Sequence, residues 1–272
     1  MTITIIPPGT ETDEQYHQSK CWGSTLLNTF IRSPALAHRI ITGTWRQPET
    51  PALRFGRLFH HRMDRTFAFD QHYRIAPDVD KRTKAWAAAE EQANVDGVVL
   101  ISFDDHQQAE AMRASVLANP VAASLLEGAQ QEIGYRGSHG NIRVQCRADV
   151  LHQGSHIADL KTTVDADEFG KSVGSYGYHV QAAFYRWLIS HTCNGELLPF
   201  SFIAVEKQAP LYRCRVYDLD DQFLELGQQS VHAALDDIAR RTESGDWDDH
   251  QDAEMVSPPA WMLAQVTRST AA

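Results

Sequence analysis

Between Ile142 and Leu151 the sequence IRVQCRADVL alternates, with Ile142, Val144, Cys146, Ala148 and Val150 interleaved with Arg143, Gln145, Arg147, Asp149 and Leu151. A period of two sends successive side chains to opposite faces of a strand, so this segment has one apolar and one largely polar face. SHGN precedes it and HQGS follows it, and both are short, turn-forming stretches. The flanking segments QEIGYRG and HIADLKTT therefore become its neighbours in a three-stranded meander. The third strand carries a conflict. Ile157, Ala158 and Leu160 belong in an interior, yet Asp159 and Lys161 sit among them and share a face. Antiparallel pairing can bring Asp149 close to Asp159. Two carboxylates and a lysine on one face are costly to bury unless a cation neutralises them. Taken alone, an Asp-x-Lys pair has a plainer reading as a salt bridge at the rim of a sheet, contributing ~0–1 kcal/mol. The rest of the chain decides between the two.

Caps and periodicity supply the other elements. A short helix is expected near Trp22 to Ala37. A second begins at Thr50-Pro51, a capping residue followed by proline at the first helical position, and it places Gly56 and His60 on one face. Helical segments follow around Lys81 to Asn94 and His106 to Leu117, then NPVAASLLEGA. From Tyr178, YHVQAAFYRWLISH reads as an amphipathic helix with Gln181 and Tyr185 on a polar stripe. FSFIAVEK and LYRCRVYDL form a hairpin across QAP, and a long helix from about Asp220 to Arg241 closes the order. The expected fold class is α/β, a mixed central sheet of three-stranded meander, helix and hairpin, flanked by helices. No repeat, low-complexity tract or Gly/Ser linker divides the chain. Residues 1–272 are therefore expected to form a single domain, with a helical part over about 13–120 and a core over about 130–242.

Net charge is −10, from 25 basic and 35 acidic residues, which argues against a protein that coats nucleic acid nonspecifically. The charge is segregated along the chain. LRFGRLFHHRMDR, Leu53 to Arg65, carries four arginines and two histidines, whereas ESGDWDDHQDAE carries six carboxylates between Glu243 and Glu254. The apolar patch near the first residues is too short for a signal peptide and lacks a basic flank, and no apolar run reaches membrane-spanning length. No membrane is expected as a partner, and the default compartment is the cytoplasm. Cys21, Cys146, Cys193 and Cys214 lie far apart without C-x-x-C spacing, so neither a zinc site nor a disulfide framework is suggested.

His60 in GRLFH, Asp149 in CRADVL, Asp159 and Lys161 in IADLKTT, and Gln181 and Tyr185 in GYHVQAAFY resemble the ordered motifs of the PD-(D/E)XK nucleases. Within that superfamily the chain is most similar to the RecE-type exonucleases, exonuclease VIII among them. The similarity runs from Ser33-Pro34 through FIAVEK to SPPAWML, nearly the whole chain. Each motif alone is weak, and their order and spacing give them weight. Two departures stand out: Ala148 precedes the first acid where the superfamily often has proline, and the second acid is Asp159 rather than glutamate. Neither removes a ligand. RecB-like relatives are the alternative, and those with an iron–sulfur cluster need grouped cysteines, which this chain lacks.

The resemblance implies a restriction-endonuclease-like core and a metal-dependent deoxyribonuclease, a 5′→3′ exonuclease on double-stranded DNA ends. It implies Mg²⁺, with Mn²⁺ as the alternative, held by Asp149, Asp159, the Leu160 carbonyl and His60. Lys161 would orient or deprotonate the attacking water. Gln181 and Tyr185 would contact the substrate backbone or orient Lys161, and Glu132 is a further candidate from the first strand. Arg54, Arg57 and Arg62 would hold phosphates without reading bases. Gly56 would let backbone or phosphate come close. Expected partners are a RecT-type annealing protein and further copies of the chain in a ring around DNA. The other class of reading is a DNA-binding module that retains the fold without catalysis, which lesions at Asp149, Asp159 or Lys161 would favour; all three are present.

Overall fold

The expected meander is present in the computed structural model, which describes residues 1–249 and 257–258. Its strands are β4 (Gln130–His139), β5 (Ile142–His152) and β6 (His156–Thr163). Ahead of them run β1 (Ile3–Ile6), α1 (Asp13–Gln18), α2 (Ser24–Arg32), α3 (Pro34–Ile41) and α4 (Pro51–Met63). Then come α5 (Phe69–His72), β2 (Tyr73–Ile75), α6 (Lys84–Val95), β3 (Val99–Ile101), α7 (Phe103–Ala118) and α8 (Pro120–Leu126). After the meander follow α9 (Phe169–Ser175), α10 (Tyr178–Ser190), β7 (Phe200–Glu206), β8 (Cys214–Asp218) and α11 (Asp221–Ser244).

Several boundaries differ from the sequence reading, each for a local reason. The single helix expected over Trp22 to Ala37 is two, because Ser33 is extended (φ −156°) ahead of Pro34 and caps α3 by accepting the Leu36 N–H at 3.1 Å. Helix α7 starts at Phe103 rather than near His106, because Ser102 caps it by accepting the Asp105 N–H. Strand β1, seen in the sequence only as an apolar patch, pairs antiparallel with β4. Gly137 permits that approach, since a Cβ there would lie 2.5 Å from Ile3 Cδ1. Strands β2 and β3 form a separate parallel pair of three residues each, too short to show a period. The SPPAWML segment lies largely outside the described residues.

The main sheet has six strands in the order β1-β4-β5-β6-β7-β8, and only β6–β7 is parallel, joined by a crossover through α9 and α10. Helices cover both faces. On one, Phe184 and Leu188 of α10 and Ile238 of α11 pack with Phe202 and Ala204 of β7. On the other, Phe59 of α4 and Met112 and Val116 of α7 pack with Ala158, Leu160 and Ile203. Phe59, Phe184 and Phe202 are wholly buried, and truncating such a side chain costs roughly 3–5 kcal/mol. Gly227 brings α11 onto α10, for a Cβ there would meet the His179 carbonyl oxygen at 2.2 Å. Cys21 and Cys146 are buried, and all four thiols are free.

Two irregularities break this sheet at one place. Strand β5 pairs with β4 at nine positions but with β6 at only three, from Val150↔Ala158 to His152↔His156. Beyond Val150 and Ala158 the two strands diverge into a fork, and Trp22 takes up the released edge of β5. Its N–H donates to the Arg143 carbonyl and its carbonyl accepts the Gln145 N–H. The second irregularity is in the alternation itself. Ala148 and Leu151 pack into one core and Val150 into the other, so the period of two shifts across Asp149. Leu151, grouped by simple alternation with the polar residues, is accordingly buried. On β4 the residue opposite this break, Glu132, is skipped in the pairing and has φ +54°. A left-handed non-glycine residue costs ~1–3 kcal/mol and persists only where its surroundings enforce it.

Candidate active site

Helix α4 brings a basic end to the fork. Thr50 caps it, with its hydroxyl accepting the Leu53 N–H at 3.2 Å, and Leu58, Phe59 and Met63 anchor it in the interior. Its last turn then presents His60 to the break in the sheet. His60 Nδ1 lies 3.4 Å from Asp149 Oδ2. The same Asp149 oxygen accepts the Leu160 N–H at 2.8 Å, and the Leu160 backbone is near enough to His60 to favour its charged form. The left-handed turn at Glu132 completes the group: ligand atoms of His60, Glu132 and Asp149 all lie within 4.8 Å of one another. Among the described residues this is the one cluster of three such side chains close enough to share an ion. Arg147 holds Glu132 from behind, Nε to Oε2 2.9 Å.

Asp159, the other carboxylate expected as a ligand, stands beside this cluster with both of its oxygens engaged by side chains. It is 2% exposed, accepts a hydrogen bond from Gln181 Nε2 at 2.6 Å through Oδ1, and forms an ion pair with Lys161 through Oδ2. Lys161 lies two residues on and on the same strand face, which makes its ammonium the nearest counter-charge. That ammonium sits 4.9 Å from the centre of the Tyr178 ring and 5.8 Å from that of Phe202. Two aromatic faces thus cover one side of the lysine.

The charges strain against one another. Burial, and then the Asp149 charge, push the Asp159 carboxyl up to about 7. The same two causes, in the same order, raise Glu132. Burial lowers His60, with Asp149 opposing. Burial also disfavours the Lys161 ammonium, but Asp159 and Asp149 outweigh it and its pKa is raised.

Not every residue singled out in the sequence reaches this centre. Gln181 does, through Asp159. Tyr185 is buried, packing on Phe184 and Phe200, and burial holds its phenol well above its ordinary range. Arg54 and Arg57 are more than half exposed and pair with Glu49. Arg62 turns the other way, to Glu110 of α7 and the Phe69 ring. A Cβ on Gly56 would meet nothing within 4 Å, so that glycine leaves open space near His60 rather than relieving a clash. Sequence reasoning missed Arg147 and Tyr178. Arg147 was within reach, two residues before Asp149 on an alternating strand. Tyr178 gave no signal, because its contact with Lys161 depends on where the crossover helix lands.

One imidazole, two carboxylates and a backbone carbonyl make an oxygen-dominated donor set that fits a divalent cation of the Mg²⁺ or Mn²⁺ kind. The raised carboxyls yield a testable sign. A carboxyl held above its unfolded value stabilises the fold below that value, near ~4, and the contribution is lost as pH rises, for Asp159 through about 7. The stabilising contribution of the Glu132 and Asp159 carboxyls should therefore fall from about pH 4 to above 7, and a cation that replaces the Glu132 proton should offset part of that fall. Scanning calorimetry is expected to show a rise in Tm on adding Mn²⁺ that is at least about 3 °C larger at pH 8 than at pH 6. Equal shifts at the two pH values would remove the cluster from metal binding.

Residues 23–256 match the model of the PDDEXK-like domain of unknown function (DUF3799). No curated protein matches the chain. Among solved structures it is similar to a Eubacterium rectale protein named as a candidate exonuclease. The two share 18% identity over 93% of this chain and 97% of that one, with a TM-score of 0.61, a likeness of fold. A Vibrio cholerae protein of known structure shares 13% identity over 89% of this chain and 53% of that one, with a TM-score of 0.25. Among the described residues no helix is long and apolar enough to cross a membrane. With the family's match spanning most of its length, the chain belongs to the PDDEXK-like DUF3799 family.

Proposed function

We propose that the protein is a Mg²⁺-dependent deoxyribonuclease that degrades linear duplex DNA from its ends in the 5′→3′ direction. The observation that carries the hydrolytic reading is the fork in the sheet, where His60, Glu132 and Asp149 converge beside a buried Asp159–Lys161 pair. The exonuclease mode rests on the resemblance of the ordered motifs to RecE-type enzymes and on the name given to the Eubacterium rectale relative in fold.

His60, Glu132, Asp149 and the Leu160 carbonyl would hold the cation, Mg²⁺ or Mn²⁺, which when bound supplies Lewis-acid stabilisation of the charge that builds on the phosphoryl oxygens. Lys161 orients the attacking water toward phosphorus and offsets phosphate charge, while Asp159 keeps that ammonium in place and Gln181 keeps Asp159 in place. Arg54 and Arg57, exposed at the outer end of α4, hold the strand by its phosphates. The products are mononucleotides and 3′ single strands. A RecT-type annealing protein would take up the latter in phage-type recombination, and a ring of chains would hold the duplex.

End-labelled linear duplex and covalently closed circles, each incubated with Mg²⁺, test this reading. Linear DNA is expected to disappear while circles persist, with a 5′ label released early as a mononucleotide and a 3′ label retained on a long strand. Rapid nicking of circles would make the protein an endonuclease of the same superfamily, and early loss of the 3′ label would reverse the polarity. No cleavage of either substrate with Mg²⁺ or Mn²⁺ would leave a DNA-binding module.

A further inference from the structure

Helix α1 has no fully buried side chain, yet it lies across the polar face of the meander. Polar contacts hold it there. A capping box closes its first turn: Thr12 Oγ1 accepts the Gln15 N–H, and Gln15 Oε1 accepts the Thr12 N–H. Glu11 accepts from Arg136 of β4 at 2.9 Å, and the Tyr16 ring lies 4.7 Å below the Arg147 guanidinium. The contacts of Asp13 stand apart, because they lead to the candidate metal centre from two sides. Its Oδ1 accepts from Arg147 Nη2 at 2.5 Å, and the Nε of the same guanidinium meets Glu132 Oε2 at 2.9 Å. Its Oδ2 is 3.0 Å from His61 Nε2, while His61 Nδ1 is 2.8 Å from the Tyr73 hydroxyl. His61 follows His60 on the last turn of α4 and stacks on Phe67, ring centres 4.0 Å apart. The hydrogen bond from His61 holds the Asp13 carboxyl far below its ordinary range against the cost of burial, and Arg147 lowers it further, so it is ionised.

We propose that Asp13 is a positioning residue for the metal centre, one carboxylate that fixes Glu132 through Arg147 and the His60-bearing end of α4 through His61. Two of the three clustered side chains come from elements other than β5, namely Glu132 from β4 and His60 from α4. Asp13 ties both of those elements to β5. Without it, Arg147 has only Glu132 as an anionic partner among the described residues and loses the contact that fixes its guanidinium behind the left-handed Glu132. The spacing of His60 from the carboxylates likewise loses its tie across the fork. Asp13 lies ahead of residues 23–256, so the family match does not include this residue. The segment before it is thereby part of the working site rather than an appendage to it.

The inference rests on the metal reading above, and its test is made on the full chain without DNA. Mn²⁺ alone is titrated into wild type, Asp13→Ala, Asp13→Glu and His61→Phe by calorimetry, with circular dichroism to confirm folding. Removing a residue that orients ligands typically weakens metal binding ~10–100-fold. Asp13→Ala is expected to fall in that range and Asp13→Glu, which restores the charge on a longer arm, to recover part of the loss. His61→Phe removes the hydrogen bonds to Asp13 and to the Tyr73 hydroxyl, leaves the Asp13–Arg147 contact in place and keeps an aromatic ring against Phe67. It is expected to weaken Mn²⁺ binding by about tenfold, and it decides the matter alone if Asp13→Ala does not fold. Wild-type affinity in a folded Asp13→Ala, or in His61→Phe, overturns the proposal and leaves the metal reading standing. If wild type itself binds no Mn²⁺, both fall together.

Discussion

Asp149→Ala is expected to reduce phosphodiester cleavage by roughly 10³-fold or more, the effect of losing several kcal/mol of charge stabilisation at the reacting phosphate. No other residue substitutes for it, because one Asp149 oxygen is where His60 and the Leu160 N–H converge and the Glu132 carboxylate lies beside it. The protein should stay folded. Leaving the Leu160 N–H without its acceptor costs ~1–3 kcal/mol, but the loss of one negative charge relieves Glu132 and Asp159, both held above their ordinary range partly by Asp149. Single-turnover cleavage of linear duplex reads the first effect and thermal unfolding the second. Asp149→Asn, which keeps an acceptor for Leu160, should be as inactive and more stable than Asp149→Ala. Cleavage at the wild-type rate in either variant would displace the site from the fork.

Lys161→Ala should lower turnover by roughly 10²–10⁴ while Mn²⁺ affinity stays within a few-fold, the pattern of a group that handles the attacking water rather than the cation. The geometry separates the two functions. Among the described residues Lys161 forms its ion pair with Asp159 alone, and the Tyr178 and Phe202 rings cover one side of its ammonium. Its removal leaves Asp159 buried beside Gln181 without a counter-charge, which raises that carboxyl further and makes it neutral over a wider pH range. The pH–rate profile of the variant should therefore lose its dependence on this pair. A rise in KM with kcat unchanged would instead make Lys161 a phosphate anchor.

Asp149, Asp159 and Lys161 are legible in the sequence because charges at period-two positions of otherwise apolar strands have no cheap place to go. The cap at Thr50-Pro51 is legible for a similar reason, since its residue types serve one backbone position. Glu132 enters the reading only as a neighbour-strand candidate. What brings it in is a backbone angle, and no residue pattern announces a left-handed glutamate. The shift of alternation at Asp149 is hidden in the same way: Ala148 and Val150 are both apolar, and only the cores they fill reveal that these residues, two apart, face opposite sides. The placing of Glu132 against Asp149 and of Asp159 against Lys161 follows from the fork, which is a property of three strands at once. Asp13 lies 134 residues from Arg147, beyond the reach of any local pattern.

The docking of α1 also orders events as the chain is made. Its partners lie far downstream: Arg136 is 125 residues from Glu11, and Gln145 is 126 from Ser19. Trp22 likewise waits for Arg143 and Gln145, and β1 for β4. The segment that leaves the ribosome ahead of all these strands is thus the one whose place does not exist until β4 and β5 have emerged and paired. Loop closure over such a span adds little free energy beyond that of a shorter loop, but the contacts that reward it come only after closure, so formation is slow. A nascent chain halted before Ile142 has no β5 to receive Trp22 or Arg147 to receive Asp13, and its cluster of metal-binding side chains cannot assemble. Translation itself keeps the centre incomplete until the meander is made.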